Sequence, residues 1–593
     1  VAWGVGGAAF VLALLGTLAM RDAMRIRGQL VAAQASLQRT VDNPAALRTP
    51  QGRAAALIDV DSALVSIDDA RRDAQGSAVL SAFGAFPVVG SQRSGLLRLI
   101  DDSATAATAG RGLLATIDAL AERNRLQDGT VPVASLGELQ TAVEAAGRTL
   151  GGLTGRTGLW GPVGEARRDF DELAAAGSRR LAEGAEALGA ARSFLGSAGT
   201  RRYLVALQNN AEMRDQGAVL SYVVVRFTDG RLAFERRGSV SDLTLSAPAP
   251  TVLPPGTKEV FGSLAPTQTW QSVNATADFA LSGRAMADMY RQATGQAVDG
   301  VIAIDVPGLA AVLRTIGPVA IEGVAEPIGA DNIARVLLHD FYVGLPVGES
   351  SARRERLGDV VGAVVARLTT GSHDAVTLGR ELAEASAGGH LRLWSGLPQE
   401  EEVFERTGLG GGPATKDADR TFHLAVQNRT ASKLDYFVKP SVRQEVRVTR
   451  QGTAVVRTTV SIENQAPADA RASYQFGPAG ITEKPGDYLA WVLLWGPAGS
   501  RQIQGSVAES GLNLSQFVVA VPAGERRDVT FETVVPRAVR DGKLQLRLVP
   551  QPRLEPVPLS VRLTTDGRSI GGAPAEWQAA WDRVHRLTWD IGR

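Results

Sequence analysis

The chain of 593 residues contains no cysteine. That excludes disulfides, thiolate metal sites and thiol nucleophiles, and leaves any zinc site to His and carboxylates alone. Histidine is scarce as well: His339, His373, His390, His423 and His585 show no metal-ligand spacing such as His-Glu-x-x-His. No Gly-x-Ser-x-Gly elbow and no dinucleotide fingerprint is present, so serine-triad hydrolysis and nicotinamide chemistry lack their sequence signatures. A net charge of +1 gives no basic excess, and nucleic acid is not an expected partner. Lysine is rare and Arg carries most of the positive charge, which with abundant Ala and Gly reflects a GC-rich coding bias.

Long apolar runs are also missing, with one exception. Residues 1–20, VAWGVGGAAFVLALLGTLAM, carry no charge and as a helix would span roughly 30 Å at about 1.5 Å per residue. The run is expected to be a single-pass membrane anchor, with a cleaved signal peptide as the alternative. The true start is expected upstream of Val1, so flanking charge cannot orient the segment. Everything after Arg21 is expected on one side of the membrane, outside the cytoplasm.

From Arg21 onward the chain is organised in blocks, as a length beyond one hydrophobic core requires. Residues 21–199 are rich in Ala, Leu, Glu, Asp and Arg with apolar residues at spacings of three and four, which predicts a helical bundle or stalk of five or six helices. Breaks fall at Asn43-Pro44, Phe86-Pro87, Asp128-Gly129 and Gly151 to Pro162. Across 200–406 strand and helix patterns alternate, predicting an α/β domain: a helix near Ala280–Gly295, a strand in VDGVIAIDV, a helix from Pro307 to Gly317 and a strand in PVAIEGV. Pro307 suits a first helical turn and Gly317 a helix end. Residues 407–419 form a Gly-rich linker whose Lys416 lacks the spacing of a phosphate-cradling loop. From 420 to 565 about nine short β runs predict a β-sandwich. Trp491 and Trp495 lie four apart and share one face of a strand, expected in the sandwich core rather than as a sugar platform. The tail, 566–593, is predicted as an amphipathic helix with Trp577, Trp581 and Val584 along one face. The fold class is thus multidomain α+β.

The densest polar stretch is QNNAEMRDQG, between the apolar runs YLVAL and VLSYVVVRF. It is expected as a loop presenting side chains at a sheet edge, with Gln208, Asn209, Asn210 and Glu212 as its motif residues. Arg residues cluster there (Arg214), after LAFE (Arg236, Arg237) and at a helix start (Arg353, Arg354, Arg356). Guanidinium forks match phosphate oxygens, so convergence of these groups would make an anion site. Glu212, Asp215 and Asp242 are candidate Mg²⁺ ligands, because Mg²⁺ favours carboxylate and water oxygen. Surface ion pairing is the alternative for these Arg. No catalytic nucleophile is assigned.

RRYLVALQNNAEMRDQGAVLSYVVVRFTDGRL, together with the segment NATADFALSGRAMADMYRQATGQAVDGVIAIDVPGLAAVLRTIGPVAIEG and with KLDYFVKPSVRQEVRV, resembles the bacterial domain of unknown function 4012 family, abundant in actinobacteria. That resemblance implies no activity. VDGVIAIDVPGLAAVLRTIGPVAI and SSARRERLGDVVGAVVARL are similar to segments of LytR-CpsA-Psr phosphotransferases, with Gly317-Pro318-Val319 at their Gly-Gly-Val turn and Arg353 and Arg356 on their helix. The likeness implies a LytR-CpsA-Psr-like α/β domain, a polyprenyl-pyrophosphate lipid or cell-wall glycopolymer as ligand, and Asp215 and Asp242 at acidic positions. Ser241, Leu357, Asn209 and Asn210 depart from that pattern. Two roles are expected from it: glycopolymer binding or transfer at the cell envelope, or a noncatalytic scaffold with envelope protein partners.

Overall fold

The computed structural model describes residues 21–42, 46–76, 87–121, 123, 125–153, 159–347, 351–412, 417–430, 432–478 and 484–592. The expected anchor at 1–20 lies outside the described residues, and no helix among the described ones is long and apolar enough to cross a membrane. The chain forms two compact units, one of residues 1–125 and 132–197, the other of residues 126–131 and 198–593.

The first unit is helical. Its helices are α1 (Arg21–Asp42), α2 (Pro50–Gly76), α3 (Pro87–Ala121), α4 (Val133–Gly152) and α5 (Gly161–Phe194). Small and aliphatic residues at helical spacing, such as Ala56, Val60, Ala63, Ile67, Ala70 and Ala74 of α2, form its buried stripe. Leu30, Leu37, Leu96, Ile100 and Leu114 pack against that stripe. A buried charge cluster sits inside: Arg167 bonds Asp102 and Asp171, each at 2.5 Å, and the carbonyl of Leu153. A guanidinium removed from water is tolerable only when so paired.

The second unit opens with a five-stranded mixed sheet. Strands β1 (Arg201–Met213), β2 (Gly217–Thr228), β3 (Arg231–Ser239), β4 (Gly300–Ile304) and β5 (Leu391–Ser395) lie in the order β3-β2-β1-β4-β5. β1 and β4 are parallel and the other neighbours antiparallel. Helix α6 (Pro255–Phe261) packs away from it, against Trp491, and helices α7 (Phe279–Thr294), α8 (Val306–Ile316), α9 (Ile333–Leu338), α10 (Ser351–Leu368), α11 (Ala375–Ala387) and α12 (Pro398–Thr407) accompany it. Met286, Met289 and Tyr290 of α7 pack on Leu204, Val224, Val301 and Trp394. Asp305 caps α8 by accepting from the Gly308 N–H at 3.0 Å, and Gly317 ends it at φ 80°, a left-handed conformation that glycine adopts without strain. PVAIEGV, expected as a strand, makes only a single bridge, Val319 to Ile328. Of the expected linker, Thr407 still belongs to α12 and Leu409 accepts from the Leu393 N–H, while residues 413–416 lie outside the described set.

Two further sheets enclose one apolar core. β6 (Thr421–Asn428), β9 (Tyr488–Gly496), β10 (Leu512–Val521), β12 (Lys543–Val549) and β15 (His585–Ile591) lie in one; β7 (Val438–Val448), β8 (Ala454–Asn464), β11 (Arg526–Val535), β13 (Val557–Thr565) and β14 (Glu576–Trp581) in the other. Phe422, Val426, Val442, Val460, Leu546 and Trp589 meet between them. Two expectations fail here. The tail is not a helix: Glu576–Trp581 pairs β13 and His585–Ile591 pairs β12, because Trp577 and Trp581 share a face at strand period as well as at helical period, and ladder pairing decides. Trp491 and Trp495 are buried, but on the outer face of their sheet, against Phe261, Val260 and Ala275; Ala490, Val492 and Leu494 fill the sandwich core instead. β9 is covered on both faces, which is why it reads as a continuous apolar run.

Candidate functional site

QNNAEMRDQG is not an edge loop. The strand β1, at the middle of the sheet, holds its residues Gln208 to Met213, Arg214 to Gln216 turn the chain into β2, and Gln208, Asn209, Asn210, Glu212, Asp215 and Gln216 are all buried. The antiparallel register explains how polar side chains leave the ladder. Asn209 faces Ala218 and Met213 faces Gly217, so Asn210, Ala211 and Glu212 have no partner across the strand and bulge out of it. A bulge bends a strand and re-aims its side chains. Gly217 is required opposite, because a Cβ there would lie 2.6 Å from the Asn209 carbonyl carbon.

The bulge feeds a buried network that reaches into the sandwich sheets. Glu212 pairs with Lys433 and, at 3.2 Å, with Arg214. Arg214 also donates to the carbonyls of Met213 and Asn428, at 3.0 and 2.9 Å. The Lys433 ammonium lies 5.9 and 5.6 Å from the ring centres of Tyr342 and Tyr474, which stack on each other. Asp435, with no exposed side-chain surface, accepts four hydrogen bonds: from the Met213 N–H and Asn428 Nδ2 at 3.0 Å, Tyr488 Oη at 2.8 Å and Arg553 Nη2 at 3.0 Å. Burial, with the Asp435 carboxylate beside it, holds the Tyr488 hydroxyl far above its ordinary pKa, so it donates. Gln551 ties the Arg214 carbonyl to Val426. His423 places Nε2 2.5 Å from Asp215 and Nδ1 3.1 Å from the Val549 carbonyl.

A second node joins the motif to α8. Asn209 Nδ2 donates to Tyr342 Oη at 2.5 Å, and Asn210 Nδ2 donates to Asp305 at 2.8 Å while its Oδ1 accepts from the Val306 N–H. Asp305 also faces His390 Nδ1 at 2.7 Å. The pair orients an imidazole, yet no hydroxyl among the described residues is hydrogen-bonded to its Nε2. Arg392 lies near Asp215 and Asp305, with burial lowering its pKa.

Arg236, Arg237 and Asp242 do not converge on the motif. Arg237 pairs Val223, which pairs Val205, and from Val205 to Met213 the strand runs roughly 20–26 Å at about 3.3 Å per residue. Arg214 is therefore far from Arg236 and Arg237, which are exposed on the edge strand. Arg237 donates to the Gly358 carbonyl of α10. Arg353, Arg354 and Arg356 lie on the first turns of α10, and their side chains lie outside the described residues. Asp242 caps a short turn by accepting from the Ser239 N–H at 3.3 Å. Glu212, Asp215 and Asp242 belong to no common cluster, and among the described residues no group of three His, Asp or Glu could hold a metal ion.

Sequence reasoning missed Lys433, Asp435, Gln551, Arg553, Asp305 and His390. A signal was present for the first: the chain has only six lysines, and two, Lys433 and Lys439, stand in SKLDYFVKP. The rest carried none, since contacts separated by 85 residues or more leave no local pattern.

The fold thus defines a mixed α+β protein whose first sheet is locked to a β-sandwich by a bulged polar strand. Residues 198–342 match the model of a family described as a protein of unknown function, DUF4012, which supports that family for this chain. The match ends on Tyr342, the residue that receives the Asn209 bond. No curated protein and no solved structure matches the chain.

Proposed function

We propose that the chain is a noncatalytic structural and interaction protein of the bacterial cell envelope, held at the membrane through residues 1–20 with its bulk outside the cytoplasm. The observation that carries this reading is the internal use of the motif's charges. Glu212, Arg214, Asp215, Lys433, Asp435 and Arg553 are spent on one another and on His423 and backbone carbonyls. A phosphoryl-transfer site needs such groups aimed at a ligand; here they weld two sheets. Envelope protein partners would then dock on a rigid second unit.

One observation favours the other reading, a LytR-CpsA-Psr-like domain that binds or transfers polyprenyl-pyrophosphate-linked glycopolymer with Mg²⁺. Arg237 reaches the backbone of the helix on which Arg353, Arg354 and Arg356 lie. Purified protein incubated with a polyprenyl-pyrophosphoryl oligosaccharide and Mg²⁺ separates the two. The scaffold reading expects unchanged lipid; release of lipid pyrophosphate that disappears in Arg237→Ala would overturn it.

A further inference from the structure

A cavity of about 510 Å³ opens where β7 and β13 have not yet met. The two strands pair in parallel from Val442 and Leu559 onward, and ahead of that register residues 438–441 and 554–558 form separate lips. Asn210, Asp435 and Arg553 make the floor, so the bulged motif reaches this cavity through Asn210. Lys439 and Glu555 form an ion pair of 2.6 Å between the lips.

The lining selects among ligand chemistries. Asp435 and Arg553 are bonded to each other, and Lys439 is paired with Glu555, so no unpaired guanidinium fork is offered to a phosphate. Three carboxylates, Asp435, Glu463 and Glu555, stand against two cations, Lys439 and Arg553. A polyanion meets the carboxylates and a polycation meets Lys439 and Arg553. Pro440, Pro556 and Pro558 also line the cavity and have no N–H, while Lys439 and Gln465 donate to Glu555 and Glu463, carboxylates whose further lone pairs can accept from a ligand. Such a wall suits a ligand that brings its own donors and an apolar face. The volume falls in the range of small-molecule sites, roughly 300–1,000 Å³.

We infer that this cleft binds an uncharged, hydroxyl-rich ligand, a segment of neutral oligosaccharide. Its hydroxyls donate to Glu463 and Glu555, and its C–H face lies against Tyr436 and the prolines. The binding requires no catalysis and is independent of whether the edge Arg clusters hold pyrophosphate.

The test is calorimetric titration of the full chain with neutral hexasaccharides of glucose, mannose, galactose, arabinose and N-acetylglucosamine, with magnesium pyrophosphate and hexalysine as separate arms. At least one neutral hexasaccharide is expected to bind, and Glu463→Gln and Glu555→Gln are expected to weaken it ten-fold or more without moving the melting temperature, since both side chains are exposed. Ser441→Trp, which fills the cleft, is expected to abolish it. Should Ser441→Trp fail to fold, the two Glu variants decide. Absence of binding by every neutral hexasaccharide at millimolar concentration would overturn the inference. So would saccharide binding indifferent to both Glu variants, or cleft-dependent binding of pyrophosphate or hexalysine in its place.

Discussion

Asp435→Ala is the sharpest perturbation of the buried network. It removes one acceptor from four donors and leaves the Arg553 guanidinium, 5% exposed, without its carboxylate. A buried donor left without a partner costs about 1–3 kcal/mol, and breaking a buried ion pair from one side costs about 3–5 kcal/mol. These contributions overlap, because Arg553 is one of the four donors and the Arg553 side chain keeps its bonds to Val426 and Gln551. The expected loss is therefore about 4–6 kcal/mol, a large part of the ~5–15 kcal/mol that holds a domain folded. Asp435→Asn keeps the shape and two lone pairs but turns an N–H₂ toward donors, and is expected to cost about 2–4 kcal/mol. Urea unfolding followed by tryptophan fluorescence reads the second unit, because Trp270, Trp394, Trp491, Trp495, Trp577, Trp581 and Trp589 all lie in it. If the stranded guanidinium dominates, Asp435→Ala with Arg553→Met will fall at least ~1.5 kcal/mol short of the summed single losses. A loss below ~1.5 kcal/mol for Asp435→Ala, or strict additivity of the pair, would refute the importance of the buried pair.

Two smaller predictions test the neighbourhood. Gly217→Ala places a Cβ against the backbone of Asn209, with contacts of 2.6 to 2.8 Å, and should destabilise the second unit by about 1–3 kcal/mol, visible as a lowered urea midpoint; an unchanged midpoint would show that the bulge relaxes freely. Burial pushes Glu401 up to about 7 from its ordinary 4.5, partly offset by the Ser395 N–H donating to it at 2.8 Å. The folded state then holds a proton that the unfolded chain has released, so this group's stability contribution falls as pH rises from about 4.5 to 7. Glu401→Gln should flatten that slope in melting temperatures measured across the window, and a slope identical to wild type would remove Glu401 as its source.

Local patterns made most elements legible. The helix at 279–294 announces itself by its apolar spacing and its closing Gly295, and Ala454–Asn464 by an alternation that only the buried Ser461 breaks. Where a pattern served two periods, the sequence could not choose: Trp577 and Trp581 fit helix and strand alike, and only pairing with Val561 and Val557 of β13 selects the strand. The candidate site was legible as a polar knot and illegible as a network. Glu212 invited a metal or a phosphate-binding neighbour in the sequence, yet its partner Lys433 stands 221 residues away.

By itself the sequence determined that this protein has no cysteine chemistry, that a helical region precedes alternating and then all-β regions, and that QNNAEMRDQG concentrates polar groups between buried strands. Those properties come from composition and short-range periodicity, which act within a few residues of chain. Tertiary structure alone decided that the knot lies on a central strand, that a bulge turns Asn210 and Glu212 out of the ladder, and that Lys433, Asp435 and Arg553 neutralise it. A charge out of water must find an opposite charge or a dipole, wherever the chain supplies one. That requirement is settled in space, not along the sequence.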